Sequence, residues 1–378
     1  MGSEKQAVTW LDSLQDQLKI DIDCMDPAEA KRWLPFQPED QTSNQHIVYE
    51  QMISPVNQQL FLDTAREYKE QGWEAILTRM SALLCAKNIE NINGRVLLQS
   101  SAFGAYDTEK VVAHARAYAR EFESVGISKD RFCIKIPCTG PALNASPILL
   151  KEGIRTLGTS LFSLPQAIAA SQASVSLSAL TSTVCTTSNI FEEFHLISKT
   201  VPWFHTDRKQ WPDVEDPALE HPMSPRIMQI QETYARLYKE TGKVQPMLKP
   251  ASFISAREAM AMGELGCHHA TVPGDVINQL SLLNLESNPP PGHDAPKKTG
   301  VPSPRVIHLA KTDPLAGPGW DGKLAFTDVD YLANNGAALD QAINDDPITK
   351  RGLHEALEGF KTNELQSKNA IEEVLKQI

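Results

Sequence analysis

None of the six cysteines, Cys24, Cys85, Cys133, Cys138, Cys185 and Cys267, stands in a Cys-x-x-Cys pair. Thiols scattered in this way argue against a disulfide framework or a zinc site and suit a reducing cytosol. The chain lacks any apolar run of about 18 residues, the length a spanning helix needs; the stretch from Ala167 to Leu180 is broken by Ser and Gln. Its opening residues, MGSEKQAVTW, contain no apolar leader core, and Gln6 stands where a myristoylation signal wants Ser or Thr. An excess of basic residues is missing as well. The 36 Lys and Arg against 47 Asp and Glu leave a net charge of −11, and no segment is strongly basic, which speaks against a nucleic-acid groove. The expected address is cytoplasmic, with no membrane and no nucleic acid as partner. There is no internal repeat.

What is present is an ordinary globular composition, 41% hydrophobic and 22% charged over 378 residues, with one anomaly. Lys135 sits inside the apolar run RFCIKIPCTG. A strand there alternates its faces, so Phe132, Ile134 and Ile136 point one way and Cys133, Lys135 and Pro137 the other. Lysine is seldom buried because its charge loses hydration, and desolvation favours the neutral amine, a nucleophile toward carbonyls. The bland alternative is a strand-end lysine whose ammonium snorkels to solvent.

Short apolar segments alternate with longer amphipathic ones. The strand candidates are 18–23, 41–44, 95–100, 132–137, 155–160, 175–180, 246–252 and 268–273; helical patterns cover 58–86, 108–124, 141–152, 163–173, 225–242, 256–265 and 274–284. Eight strands with helices between them suggest an α/β fold, a (β/α)8 TIM barrel, over residues 1–285, a count guided in part by the resemblance described next. Residues 185–224, rich in Trp, His, Pro and Asp, read as an insertion between strands six and seven. Residues 286–305 are a Pro- and Gly-rich linker. Residues 306–378 form a helical tail, with helices at 327–343 and 347–377, that would cover the barrel mouth or join a second copy in a homodimer.

The blocks GRVLLQSSAFGAYDTEK (94–110), VGISKDRFCIKIPCT (125–139), GIRTLGTSLFSLPQAIAA (153–170) and KPASFISAREAMAMGELGCHHATVP (249–273), together with QPEDQTSNQ (37–45), resemble the transaldolase family and its fructose-6-phosphate aldolase relatives, in order and at similar spacing. The resemblance implies a class I, Schiff-base (β/α)8 enzyme with no metal and no organic cofactor, acting on a small carbonyl compound. Lys135 falls on the family's imine-forming lysine, Asp23 on its acid/base aspartate and Asn44 on the asparagine that binds substrate hydroxyls. Strand parity agrees for Asp23: in LKIDID, Ile20 and Ile22 face the helices while Asp21 and Asp23 face inward. Asp23 could instead cap a helix or form a structural ion pair, and Asn44 could be an Asx-turn residue.

Departures from the family pattern are informative. The strand-three glutamate of typical transaldolases is Gln99 here, as in the fructose-6-phosphate aldolases, which share the block containing Thr159; Gln99 and Thr159 are therefore expected to position a water. The strand-six end reads Ala179-Leu180-Thr181-Ser182-Thr183-Val184, so a phosphate-binding serine and arginine are replaced by Ala179 and Val184, and a second arginine by Ile254. Thr181, Ala179 and Ser252 become candidate substrate contacts, with Arg257, or Lys199, Arg208 and Lys209 of the insertion, as possible substitutes for the lost charge. Lys249 is an alternative nucleophile, His268 and His269 read as core histidines, and Gly274 could open an anion-binding helix. The expectation is an enzyme that makes or breaks a C–C bond through a lysine imine with weakened phosphate recognition. The alternatives are an ordinary sugar-phosphate transaldolase with a rebuilt phosphate site, and a non-catalytic paralogue with a binding role.

Overall fold

The computed structural model describes residues 7–180, 213–294, 298–317 and 320–378. Eight strands run through them: β1 Lys19–Ile22, β2 Gln41–Thr42, β3 Val96–Gln99, β4 Phe132–Pro137, β5 Thr156–Leu161, β6 Leu177–Leu180, β7 Met247–Leu248 and β8 His269–Val272. They form one parallel sheet in the order β7-β6-β5-β4-β3-β2-β1-β8. The two ends meet: Ala251 bridges Thr271, and the backbone N–H groups of His268 and Thr271 donate to the carbonyls of Leu248 and Pro250 at 3.1 and 2.9 Å. The result is an α/β barrel with helices between successive strands.

Alternation along each strand sorts the core into two layers. Leu97, Cys133, Leu157 and Leu177 make a small buried cluster inside the barrel, with Met247 against it. Phe132, Ile134 and Ile136 belong to the much larger cluster between sheet and helices. The parity expected from sequence therefore holds around Lys135. β4 and β5 keep the expected six residues, and the other strands come out shorter than the apolar runs, down to two residues in β2 and β7.

Two helix expectations need correction. The pattern at 58–86 is not one helix: Gln58–Tyr68 ends in a 3-10 turn, Lys69–Gln71, and Gly72, with φ of 87°, precedes Trp73–Ala86. That left-handed backbone suits glycine and breaks the axis. The helix Gln45–Ile53 has no counterpart among the sequence expectations; it is capped by Asn44, whose Oδ1 accepts from Ile47 N at 3.0 Å. Of the expected insertion, residues up to 212 lie outside the described part, and Pro217–Glu220 is a short helix leading into Ser224–Thr241.

The last two helices are Ala333–Asp345 and Pro347–Leu375. The second lies over the C-terminal ends of the strands, and we call it the roof helix. Asp346 caps its start, accepting from Ile348 N at 3.1 Å. Arg226, buried to 2% exposure, pairs with Asp346 at 2.8 Å and Asp313 at 3.2 Å. It also donates to Phe162 O at 2.9 Å and Thr349 Oγ1 at 3.1 Å. Farther along, Glu364 accepts from Ser101 Oγ at 2.6 Å and Ala102 N at 3.2 Å, just past β3. One guanidinium thus joins the end of β5, the helix Ser224–Thr241, the loop at Asp313 and the roof. Arg226→Met leaves its acidic partners without their cation, and a loss of roughly 3–5 kcal/mol is expected from equilibrium urea unfolding.

Candidate active site

Strand β4 aims Lys135 into the barrel mouth. Its Nζ donates to Thr42 Oγ1 at 3.0 Å and Ser43 O at 2.8 Å, and the residue is buried. Burial lowers its pKa from 10.5 to about 8; Asp23 works against that shift, and the Lys249 cation adds to it. Among the described residues, both direct partners of the amine are uncharged oxygens, which do not restore the full preference for ammonium. The snorkelling alternative does not describe this side chain.

Lys135 lines a cavity of about 600 Å³. Asp23, Asn44, Thr159 and Ser252 line it too, so five of the expected site residues come together at one place. Asp23 lies just beyond β1, where its N–H donates to Val272 O at 3.1 Å. Asn44 spends its Oδ1 on the helix cap, which fixes the side chain and leaves Nδ2 as the donating end. Ser160 and Ser252 both line the cavity with left-handed backbone, φ of 54° and 71°. Such conformations are costly for residues other than glycine and cluster at functional sites.

Gln99 stands apart. In register it is the β3 partner of Lys135, yet it lines a separate void of about 20 Å³ with Asn44, Ser101, His114, Tyr118 and Glu364. Both atoms of its buried amide lack a partner among the described residues. A void of that volume holds about one water, which would satisfy the amide. Ala179 belongs to β6, but its side chain, together with Thr181, Val184, Lys199, Arg208 and Lys209, lies outside the described residues. Arg257 points elsewhere: it pairs with Asp213 at 3.2 Å and lines a different cleft beside Trp10 and Glu215. Ile254 donates its N–H to Glu258 Oε2 at 2.9 Å. Among the described residues lining the Lys135 cavity, the basic ones are Lys135, Lys249 and His46.

Sequence reasoning missed a buried charge cluster below the cavity. Lys249 Nζ lies 2.6 Å from Asp40 Oδ2 and 2.9 Å from Asp21 Oδ2. Asp21 Oδ1 also meets His269 Nδ1 at 3.0 Å, and Asp40 Oδ1 accepts from Arg95 N at 2.7 Å. Burial alone would neutralise Lys249, but Asp21 and Asp40 hold its pKa above the ordinary value. For Asp40, burial acts upward, and Lys249 overcomes it and lowers the pKa. Lys249 is thus an ammonium locked between carboxylates, an unfavourable starting point for a nucleophile. Ligand atoms of Asp21, Asp40 and His269 all lie within 4.8 Å of one another, and the ammonium is the cation they share. His269 faces inward onto this cluster, and His268 Nδ1 accepts from Leu248 N at 3.2 Å.

Comparison with known proteins now decides the family, because the profile of Transaldolase/Fructose-6-phosphate aldolase matches residues 20–302. The chain belongs to the transaldolase/fructose-6-phosphate aldolase family. Similar relatives include transaldolases from Rhizobium leguminosarum bv. trifolii, 26% identical over 72% of this chain and 77% of the relative, and from Synechocystis, 25% identical over 86% of this chain and 71% of the relative. A third, from Gloeobacter violaceus, is 27% identical over 72% of this chain and 66% of the relative. Membership makes the chain a Schiff-base, aldolase-type enzyme of the transaldolase class.

Two lysines inside one barrel mouth invite a direct test. Lys249→Met removes the cation from two buried carboxylates and is expected to lower stability by roughly 3–5 kcal/mol in urea unfolding. At a temperature where the variant is folded, borohydride with dihydroxyacetone should still reduce an adduct onto Lys135, read by peptide mass spectrometry.

Proposed function

We propose that Lys135 forms the imine and that Asp23 moves the proton during C–C cleavage and formation. The single observation that carries this reading is the buried amine of Lys135, with a pKa lowered to about 8, in the same cavity as Asp23. The neutral amine adds to the ketone carbon of the donor. Proton transfer from nitrogen to oxygen gives a carbinolamine, and uptake of one further proton expels water and leaves the iminium. Asp23 takes the proton of the hydroxyl one carbon beyond the scissile bond. That bond then breaks, an aldehyde departs and the electron pair rests in an enamine on Lys135. The enamine adds to a second aldehyde, the transaldolase outcome, or is protonated and hydrolysed, the aldolase outcome. Thr159, in the cavity, holds the water that enters and leaves these steps; Gln99 acts only through a water in its separate void, which Asn44 also borders. Asn44 Nδ2 and Ser252 meet substrate hydroxyls.

Phosphate is a secondary handle on this substrate. No arginine lines the cavity among the described residues, and Ile254 stands where the family resemblance places a guanidinium. Each missing charge-assisted bond is worth about 1.5–3 kcal/mol. The relatives named transaldolase support a second reading, a sugar-phosphate transaldolase whose phosphate site is rebuilt from the insertion 185–224.

Borohydride trapping with dihydroxyacetone as donor tests the imine. Trapping on Lys135 should rise through about pH 8 as the amine loses its proton, and Lys135→Ala should abolish it while folding normally. Asp23 raises the Lys135 pKa, so Asp23→Asn should move the profile to lower pH and reduce turnover roughly 10²–10⁴-fold. Adduct on Lys249 instead would refute the assignment. For the phosphate reading, fructose 6-phosphate and fructose are compared as donors. A preference below about tenfold is expected; a hundredfold preference for the phosphate ester would establish the second reading.

A further inference from the structure

The roof helix Pro347–Leu375 carries two internal glycines, Gly352 and Gly359. Glycine is among the least favourable residues inside a helix, so each asks for a reason. Gly352 has one: a Cβ there would lie 3.1 Å from the Phe162 ring, where the roof closes onto the end of β5. Gly359 has none of that kind. Apart from its chain neighbours and its own helix backbone, no atom of the described residues lies within 4 Å of the position its Cβ would take, and its φ is not left-handed. It does line the Lys135 cavity.

Ala356, Gly359, Phe360 and Asn363 follow the i, i+3, i+4, i+7 spacing of one helix face, and all four line that cavity. The face is uncharged. It offers an aromatic ring, a methyl group, an amide and, at Gly359, open space. His46 Nδ1 meets Asn363 Oδ1 at 3.2 Å, which holds this stretch of the roof against the helix Gln45–Ile53. The space at Gly359 lies beside this contact and belongs to the cavity that Lys135 lines.

We infer that Gly359 is the specificity-determining position of this enzyme: its missing side chain makes the room for the end of the acceptor remote from Lys135, and the class admitted is an aldehyde with a bulky, uncharged, partly apolar body. The inference rests on the reading of this cavity as the imine site and adds the acceptor class to it. Asn363 is held by its own contacts, Oδ1 to His46 and Nδ2 donating to Gly359 O at 2.8 Å, and Phe360 supplies an apolar wall to that body.

The test uses the full chain and the variants Gly359→Ala and Gly359→Leu, with dihydroxyacetone as donor. The acceptors are glycolaldehyde and 3-phenylpropanal. Gly359→Leu should lower the ratio of kcat/KM for 3-phenylpropanal over that for glycolaldehyde roughly 10–100-fold, the range a few methylene groups command in an apolar pocket. Gly359→Ala should melt at or above the wild-type temperature. Equal loss for both aldehydes, no loss for either, or a marked fall in melting temperature for Gly359→Ala overturns the inference. Calorimetric binding of the unreactive 3-phenylpropanol against glycerol gives a readout independent of the imine. A selective loss of the aromatic ligand in Gly359→Leu supports the inference, and an unchanged ratio overturns it. Failure of the wild type to trap donor on Lys135 would sink the imine reading alone.

Discussion

The ammonium of Lys249 between Asp21 and Asp40 is the interaction on which the barrel mouth depends. These groups come from β1, the approach to β2 and the residue after β7, with His269 of β8 bound to Asp21. They meet where the first and last parts of the sheet join. Two carboxylates buried this close cannot both stay ionised without a cation, and a lysine cannot stay charged there without them. Each group makes the others' charge tolerable, so the cluster forms as a unit or not at all. It fixes the seam of the barrel and places a second ammonium near Lys135.

Two lysines in one barrel come to opposite states. Both are buried. Lys249 touches two carboxylates and is held as ammonium; Lys135 touches a hydroxyl and a carbonyl and is biased toward the free amine. Burial alone does not choose between nucleophile and counter-ion. The charge of the nearest neighbours does, and here a difference of two aspartates separates a reactive side chain from a structural one.

Much of this was legible in the sequence. An apolar run with one lysine at fixed parity placed Lys135 inward, and the same parity placed Asp21 and Asp23. The strand periods and the long charged terminal helix were readable because each depends on neighbours a few residues away. The cluster was not: Lys249 and Asp40 are 209 positions apart, and no local pattern links a lysine before proline to an aspartate before a strand. Asn44 invited a reading as a ligand of substrate, and the helix it caps went unnoticed because Gln45–Ile53 has little amphipathic contrast. Gln99 was legible as a residue type, but the void it shares with Glu364 depends on how the roof lands.

The roof has a consequence for the order in which this protein becomes itself. Its contacts are extremely non-local: Glu364 reaches Ser101 across 263 positions, and Asn363 reaches His46 across 317. All eight strands precede it in the chain. Loop-closure entropy delays such contacts until the rest has formed, and a ribosome delivers them last. During synthesis, then, the strands that carry Lys135 precede the helix that covers its cavity. The cover of the Lys135 cavity is thus assembled from the part of the described chain that is made after the barrel.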